Sequence, residues 1–310
     1  MDWKTKMVKV ARRKILGRRG VFILSNFISN ILTIPSFVDS RREGKEKGIS
    51  AVVLSYNEPD WIDLSLKSIS NLVDEYIVVD SSNDETTQII EELSSKLPIK
   101  LIKQPPLGQH IARNEALKHV NYKYVLIWDA DFIATDKLIE KIKDFVYNSD
   151  DKFYYLVYYP LISFCGDLSH RCRDKYHVEH WLFTWSKKLK YLWDGRIEYL
   201  YSPIYYKRVD LSYDPLGYHM RSVKKPERVA LSTLFYQTNY YDVKNKKGEE
   251  EANKLLEETG LKLYNTKDLK EIGLKIMKEM TINKPCFDYK QLPKEIIDRA
   301  IKNGIPLGKC

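Results

Sequence analysis

Three polar clusters in this chain each follow a short apolar run. Ser55-Tyr56-Asn57-Glu58 ends the first, Asp80-Ser81-Ser82-Asn83-Asp84 the second, and Asp129-Ala130-Asp131 a later one. Their carbonyl and carboxylate oxygens can accept hydrogen bonds from a nucleoside or ligate a hard cation. Two carboxylates two residues apart beyond a buried strand repel each other unless a cation or a donor compensates. A divalent ion bridging a diphosphate supplies that compensation. One Asp-x-Asp by itself is the pattern of a solvated turn. Three such clusters in one chain point to a shared site.

The elements that must position these clusters follow from periodicity. Short β-rich runs at 49–55, 76–79, 99–103 and 124–128 alternate with helical patterns at 61–71, 86–96, 111–120 and 137–147. This alternation predicts an α/β fold, a mostly parallel sheet with helices on both faces. Ligands of such sheets sit off the carboxyl ends of the strands, where the polar clusters lie. Residues 153–218 are rich in Tyr and Trp and predict further strands and a loop-built pocket. From Pro226 the pattern is helical, with breaks near 244–248 and 283–285. The expected organisation is an extension at 1–48, a catalytic domain at 49–225 with halves 49–148 and 149–225, and a helical region at 226–310.

The 310 residues are 44% hydrophobic and 30% charged, a globular composition. Charge is uneven: residues 1–48 hold 12 Lys and Arg against 4 Asp and Glu, and the remainder 39 against 38. A nucleic-acid enzyme spreads cations over its working face, so no nucleic-acid partner is expected. Arg12, Arg13, Lys14, Arg18 and Arg19 precede an uncharged amphipathic run, Val21 to Ile34, with Val21, Leu24, Phe27, Ile28, Ile31 and Leu32 on one face. Apolar face and cations together predict peripheral membrane contact through residues 12–34. Four cysteines are too few to staple this length, which predicts reduced thiols and a cytoplasmic protein at the inner face of the membrane. Cys165, His170, Cys172, His177 and His180 cluster without a common zinc spacing. Trp181 and Trp185 offer flat faces for sugar stacking or, equally, core packing.

The stretches AVVLSYNE (Ala51 to Glu58), IVVDSSNDET (Ile77 to Thr86), GQHIARNEAL (Gly108 to Leu117) and VLIWDADF (Val125 to Phe132) together resemble the family 2 glycosyltransferases. The resemblance implies the Rossmann-like A-type glycosyltransferase fold and a nucleoside-diphosphate sugar donor. It implies that Ser55, Asn57, Glu58 and Asp80 hold the nucleobase, with Arg113 and Asn114 near the ribose and phosphates. Asp129 would face the ribose and metal, Asp131 would ligate Mn²⁺ or Mg²⁺, and His219 would complete the metal shell. The second cluster reads Asp80-Ser81-Ser82, where the family usually has Asp-Gly-Ser. Trp193-Asp194-Gly195 followed by Ile197-Glu198 resembles the glycine loop and acidic motif before the acceptor site, which makes Glu198 the general base and Glu179 its rival. Arg113 or Arg221 would help neutralise the departing diphosphate. Inversion at the anomeric carbon, transfer of single sugars and a glycan or lipid-linked acceptor are further implications. A sugar-phosphate nucleotidyltransferase and a carbohydrate-binding relative without turnover are the competing readings.

Overall fold

The computed structural model describes residues 23, 24, 26, 27, 31, 44–194, 198–203, 205–238 and 240–310, with the backbone alone at 179, 180, 241, 242 and 245. They form two compact units. One comprises the chain up to Pro160 with Val178–Gly217, the other Leu161–His177 with Tyr218–Cys310.

In the first unit, strands β1 (Glu46–Ser55), β2 (Glu75–Asp80), β3 (Ile99–Lys103) and β4 (Tyr122–Asp129) alternate with helices α1 (Ile62–Ser68), α2 (Thr86–Ser94), α3 (Gln109–Lys118) and α4 (Asp136–Asn148). These are the elements expected from periodicity, with ends displaced by a few residues. A three-residue strand, β5 (Phe132–Ala134), follows β4, and the sheet order is β3-β2-β1-β4, continued by β7 (His177–Thr184) and β6 (Tyr155–Cys165). β1 runs parallel to β2 and β4, while β7 is antiparallel to β4. Ala51, Val52 and Val53 on β1, like Val125 and Leu126 on β4, are fully buried, as strands covered on both faces must be. Helix α4 shows the other periodicity: Leu138, Ile142 and Val146 are buried, and the Thr135 side chain caps the start by accepting from the Leu138 N–H.

Register decides where the polar clusters go. Ser55 pairs with Asp80, and Leu54 with Asp129, so β1, β2 and β4 end at one edge of the sheet. A short hairpin, β8 (Lys190–Trp193) with β9 (Glu198–Tyr201), pairs Trp193 with Glu198. Strand β10 (Lys207–Asp210) adds parallel to β6. Positions 23, 24, 26, 27 and 31 are helical; the rest of the Val21–Ile34 run and the Arg12–Arg19 cluster lie outside the described residues. Asn26 pairs twice with β10: its Nδ2 donates to the Arg208 carbonyl at 3.1 Å, and the Arg208 N–H donates to its Oδ1 at 2.8 Å.

In the second unit, β11 (Gly217–Ser222) pairs parallel with the end of β6, His219 opposite Ser163. Helices α5 (Pro226–Thr238), α6 (Tyr240–Lys247), α7 (Glu249–Tyr264), α8 (Leu269–Thr281) and α9 (Lys294–Lys302) make up the helical region, interrupted at the two places expected and also between Tyr264 and Leu269. A Cβ on Gly273 would lie 1.8 Å from the Pro226 carbonyl oxygen, so only glycine lets α8 approach α5 this closely.

The cysteines correct one expectation. Cys165 pairs with Cys172 and Cys286 with Cys310, so all four form disulfides rather than free thiols. A low count predicted reduced thiols, but two short loops of 7 and 24 residues are enough to bring pairs together. The inference of a reducing, cytoplasmic compartment, which rested on free thiols, loses its support. No helix among the described residues is long and apolar enough to cross a membrane.

Candidate active site

The loops after β1 and β2 are knitted to each other. The Asn57 N–H donates to Ser82 Oγ at 2.8 Å, its side-chain amide donates to Asn83 Oδ1 at 2.8 Å, and the Asn83 N–H returns to Asn57 Oδ1 at 2.9 Å. Asn57 adopts φ +50°, a left-handed conformation that asparagine tolerates. The Glu58 N–H donates to Thr86 Oγ1 at the start of α2. Asp80 is buried and accepts from the Ser82 N–H, from Ser82 Oγ at 2.6 Å and from Thr87 Oγ1 at 2.5 Å. These bonds form an Asx-turn and fix the carboxylate in place. A carboxylate has about four acceptor positions, so these three bonds leave one unused.

Across the same sheet edge, Arg113 organises the rest. From α3 its Nη2 donates to Asp129 Oδ1 at 2.9 Å and its Nε to Glu198 Oε1 at 2.6 Å, with its guanidinium 5.5 Å from the Tyr191 ring centroid. Burial disfavours the charged guanidinium, but Asp129, Tyr191 and Glu198 outweigh that cost and hold its pKa above the ordinary arginine value. Arg113 Nη1 and Glu198 Oε2 are buried without a hydrogen-bond partner among the described residues. Unsatisfied polar atoms at this depth are costly, and a ligand that engages them recovers the loss. Asp131 is buried beside Asp129, whose side chain is partly exposed.

The arrangement reassigns several residues. Asn114 is occupied by the Tyr191 backbone: its Nδ2 donates to the Tyr191 carbonyl and its Oδ1 accepts from the Tyr191 N–H, both at 2.8 Å. These two bonds fasten β8 to α3 and use one donor and one acceptor position of the amide. Trp181 is buried edge-on to Phe132, and Trp185 donates to the Leu117 carbonyl with Lys45 over its ring, so neither presents a free sugar-stacking face. Among the described residues the exposed tryptophan is Trp193, stacked on His110. Tyr191 and the Trp193–His110 stack escaped sequence reasoning, because β8 is too short to carry a periodic signal. Gly195 and Ile197, and the side chain of Glu179, lie outside what the structure describes.

His219 belongs to the second unit, with its Nδ1 3.3 Å from Ser163 Oγ and its ring stacked on His177. The cysteine and histidine cluster also resolves differently from its sequence order. The His170 ring gathers with the sulfurs of Cys286 and Cys310 while its carbonyl accepts from the Cys165 N–H, and its Nδ1 lies 2.9 Å from Asp167.

The model of Glycosyl transferase family 2 matches residues 50–202. These residues are a family 2 glycosyltransferase domain. An uncharacterized glycosyltransferase of Rickettsia bellii is 32% identical over 117 residues, 36% of this chain and 37% of the relative. One of Methanocaldococcus jannaschii is 35% identical over 111 residues, covering 33% of this chain and 38% of the relative. The chain thus spans little more than a third of the curated relatives it matches. The solved Staphylococcus aureus TarS 1–349 in complex with UDP-GlcNAc is 18% identical, with a TM-score of 0.40 over 76% of this chain and 81% of that chain.

Proposed function

We propose that the family 2 glycosyltransferase domain transfers a single sugar, with inversion, from a nucleoside-diphosphate sugar to an acceptor hydroxyl. The observation that carries this reading is Arg113 held between Asp129 and Glu198 at the edge where β1, β2 and β4 end. In this reading the interlocked loops carrying Ser55, Asn57, Glu58 and Asp80 hold the nucleobase. Glu198 accepts the acceptor's hydroxyl proton through Oε2 as the oxygen attacks the anomeric carbon and the nucleoside diphosphate departs. Arg113 positions Glu198 and Asp129 and lends its charge to the departing phosphates.

Asp129 and Asp131 offer hard oxygen donors of the kind that Mn²⁺ and Mg²⁺ take, and His219 is the nitrogen ligand that the family resemblance adds. Such an ion supplies charge neutralisation on the diphosphate. The test is incubation with a panel of nucleotide sugars and Mn²⁺ or Mg²⁺, without acceptor. Slow release of a nucleoside diphosphate from one donor supports the reading, and no release from any donor removes it.

The acceptor, in the same proposal, is lipid-linked or membrane-bound. Asn26 ties the N-terminal helix to β10, while Ile23, Phe27 and Ile31 stay 71%, 62% and 49% exposed. An apolar helix face left in solvent, next to the basic run Arg12 to Arg19, suits the interface of an anionic membrane.

A further inference from the structure

The second unit contains a pocket of its own, lined by Ser163, Arg171, Arg173, Lys175, Tyr176 and Arg221 among others. Four of these carry permanent positive charge at neutral pH. Among the described residues none of the four makes an ion pair, and Asp174, which interrupts the run, makes none with them either. Arg171 lies against the Tyr176 ring, 5.7 Å from its centroid, and its Nε is buried without a hydrogen-bond partner among the described residues.

The backbone under this cluster is firmly held. The Cys165–Cys172 disulfide closes the loop, the Cys172 N–H donates to the Ser163 carbonyl, and the Arg171 N–H donates to Pro285. Gly166 sits at φ +78°, and a Cβ there would come 2.2 Å from the Met277 carbonyl oxygen. Packing four like charges into one concavity without a counter-charge costs folding energy, and a bound anion relieves it. Guanidinium forks set around a hollow match the oxygens of a phosphate group.

We infer that this pocket binds a phosphate group of the acceptor. The inference rests on the transferase reading above, in which the donor's diphosphate is already served by the first unit's carboxylates, their metal and Arg113. Even with Arg221 lent to the departing diphosphate, Arg171, Arg173 and Lys175, without an ion pair among the described residues, exceed what the donor requires, and they select an acceptor that is itself a phosphate ester.

Calorimetric titration of the full chain with glucose 6-phosphate and with glucose tests it, alongside an Arg173→Ala/Lys175→Ala double variant. Both of these side chains are exposed, so the fold tolerates their loss. The sugar phosphate should bind, more weakly as salt rises, and glucose should not. The double variant should lose at least tenfold in affinity for the sugar phosphate and release nucleoside diphosphate from the donor at an unchanged rate. Equal binding of the two sugars, or undiminished binding by the variant, overturns the inference. A tenfold rise in the variant's KM for the nucleotide sugar also overturns it, because the anion is then the donor's diphosphate. If neither protein hydrolyses any donor, the transferase reading fails, and the titration still decides whether the pocket takes phosphate.

Discussion

Glu198 Oε1 lies 2.6 Å from Arg113 Nε, so the β9 carboxylate reaches the sheet edge through a helix residue and not through its own strand. The same guanidinium holds Asp129, and neither acid can shift without disturbing the other.

Arg113→Lys should therefore disable the site despite conserving charge. A lysine is a single point donor and cannot span two carboxylates as the fork does. Losing one partner of a buried pair costs about 3–5 kcal/mol, which denaturant unfolding would register. Turnover should fall about a hundredfold or more. A variant with native stability and native turnover would show that the bridge is incidental.

Glu198→Gln keeps the shape of the side chain and removes its basicity. Donor affinity should stay within a few-fold while transfer to acceptor drops about a hundredfold or more. Parallel loss of donor binding would make Glu198 a support for Arg113 and move the search for the base to Glu179.

Asp131→Ala should abolish metal-dependent turnover with the fold retained, a loss of roughly a hundredfold or more. Treating the parent protein with EDTA should have the same effect, reversed by added Mn²⁺ or Mg²⁺. Undiminished activity in EDTA would dispose of the metal.

Reduction should loosen the second unit in two steps of different size. Closing a 7-residue loop is worth about 2 kcal/mol and a 24-residue loop about 3 kcal/mol in the chain-entropy account. Cys165→Ala and Cys286→Ala, compared by urea unfolding, should follow that order. Indifference of both variants to reductant and to substitution would mean that the pairs do not form.

The membrane proposal predicts that the full chain sediments with anionic liposomes at low salt and that Phe27→Asp does not. Phe27 is exposed, so its loss should leave the melting temperature unchanged. Equal sedimentation of both proteins would assign the attraction to charge alone.

The sequence was most readable where order is local. Short apolar runs and helical patterns located β1 to β4 and their helices, and the strand-end clusters followed because these strands run parallel in a register that brings their ends to one edge. Contacts closed over long separations were not readable. Arg113 meets Glu198 across 85 positions and Asn114 meets Tyr191 across 77, and neither partner in β8 or β9 lies in a run long enough to show a period. The pairing of Cys286 with Cys310 was hidden for another reason: a count of cysteines says nothing about their proximity. Trp181 and Trp185 were readable only as large flat residues, and packing alone decided between core and surface.

The pair of hydrogen bonds between Asn114 and Tyr191 has a practical outcome for redesign. A strand that slips by one residue turns every side chain to the opposite face, and the amide clamp fixes the β8–β9 hairpin against such slippage at its far end. The connection between Trp193 and Glu198 can then be lengthened or exchanged while Glu198 keeps its phase toward Arg113. Libraries that vary residues 194–197 would thus test whether this connection sets acceptor preference in the proposed reaction, with the Glu198–Arg113 pair left intact.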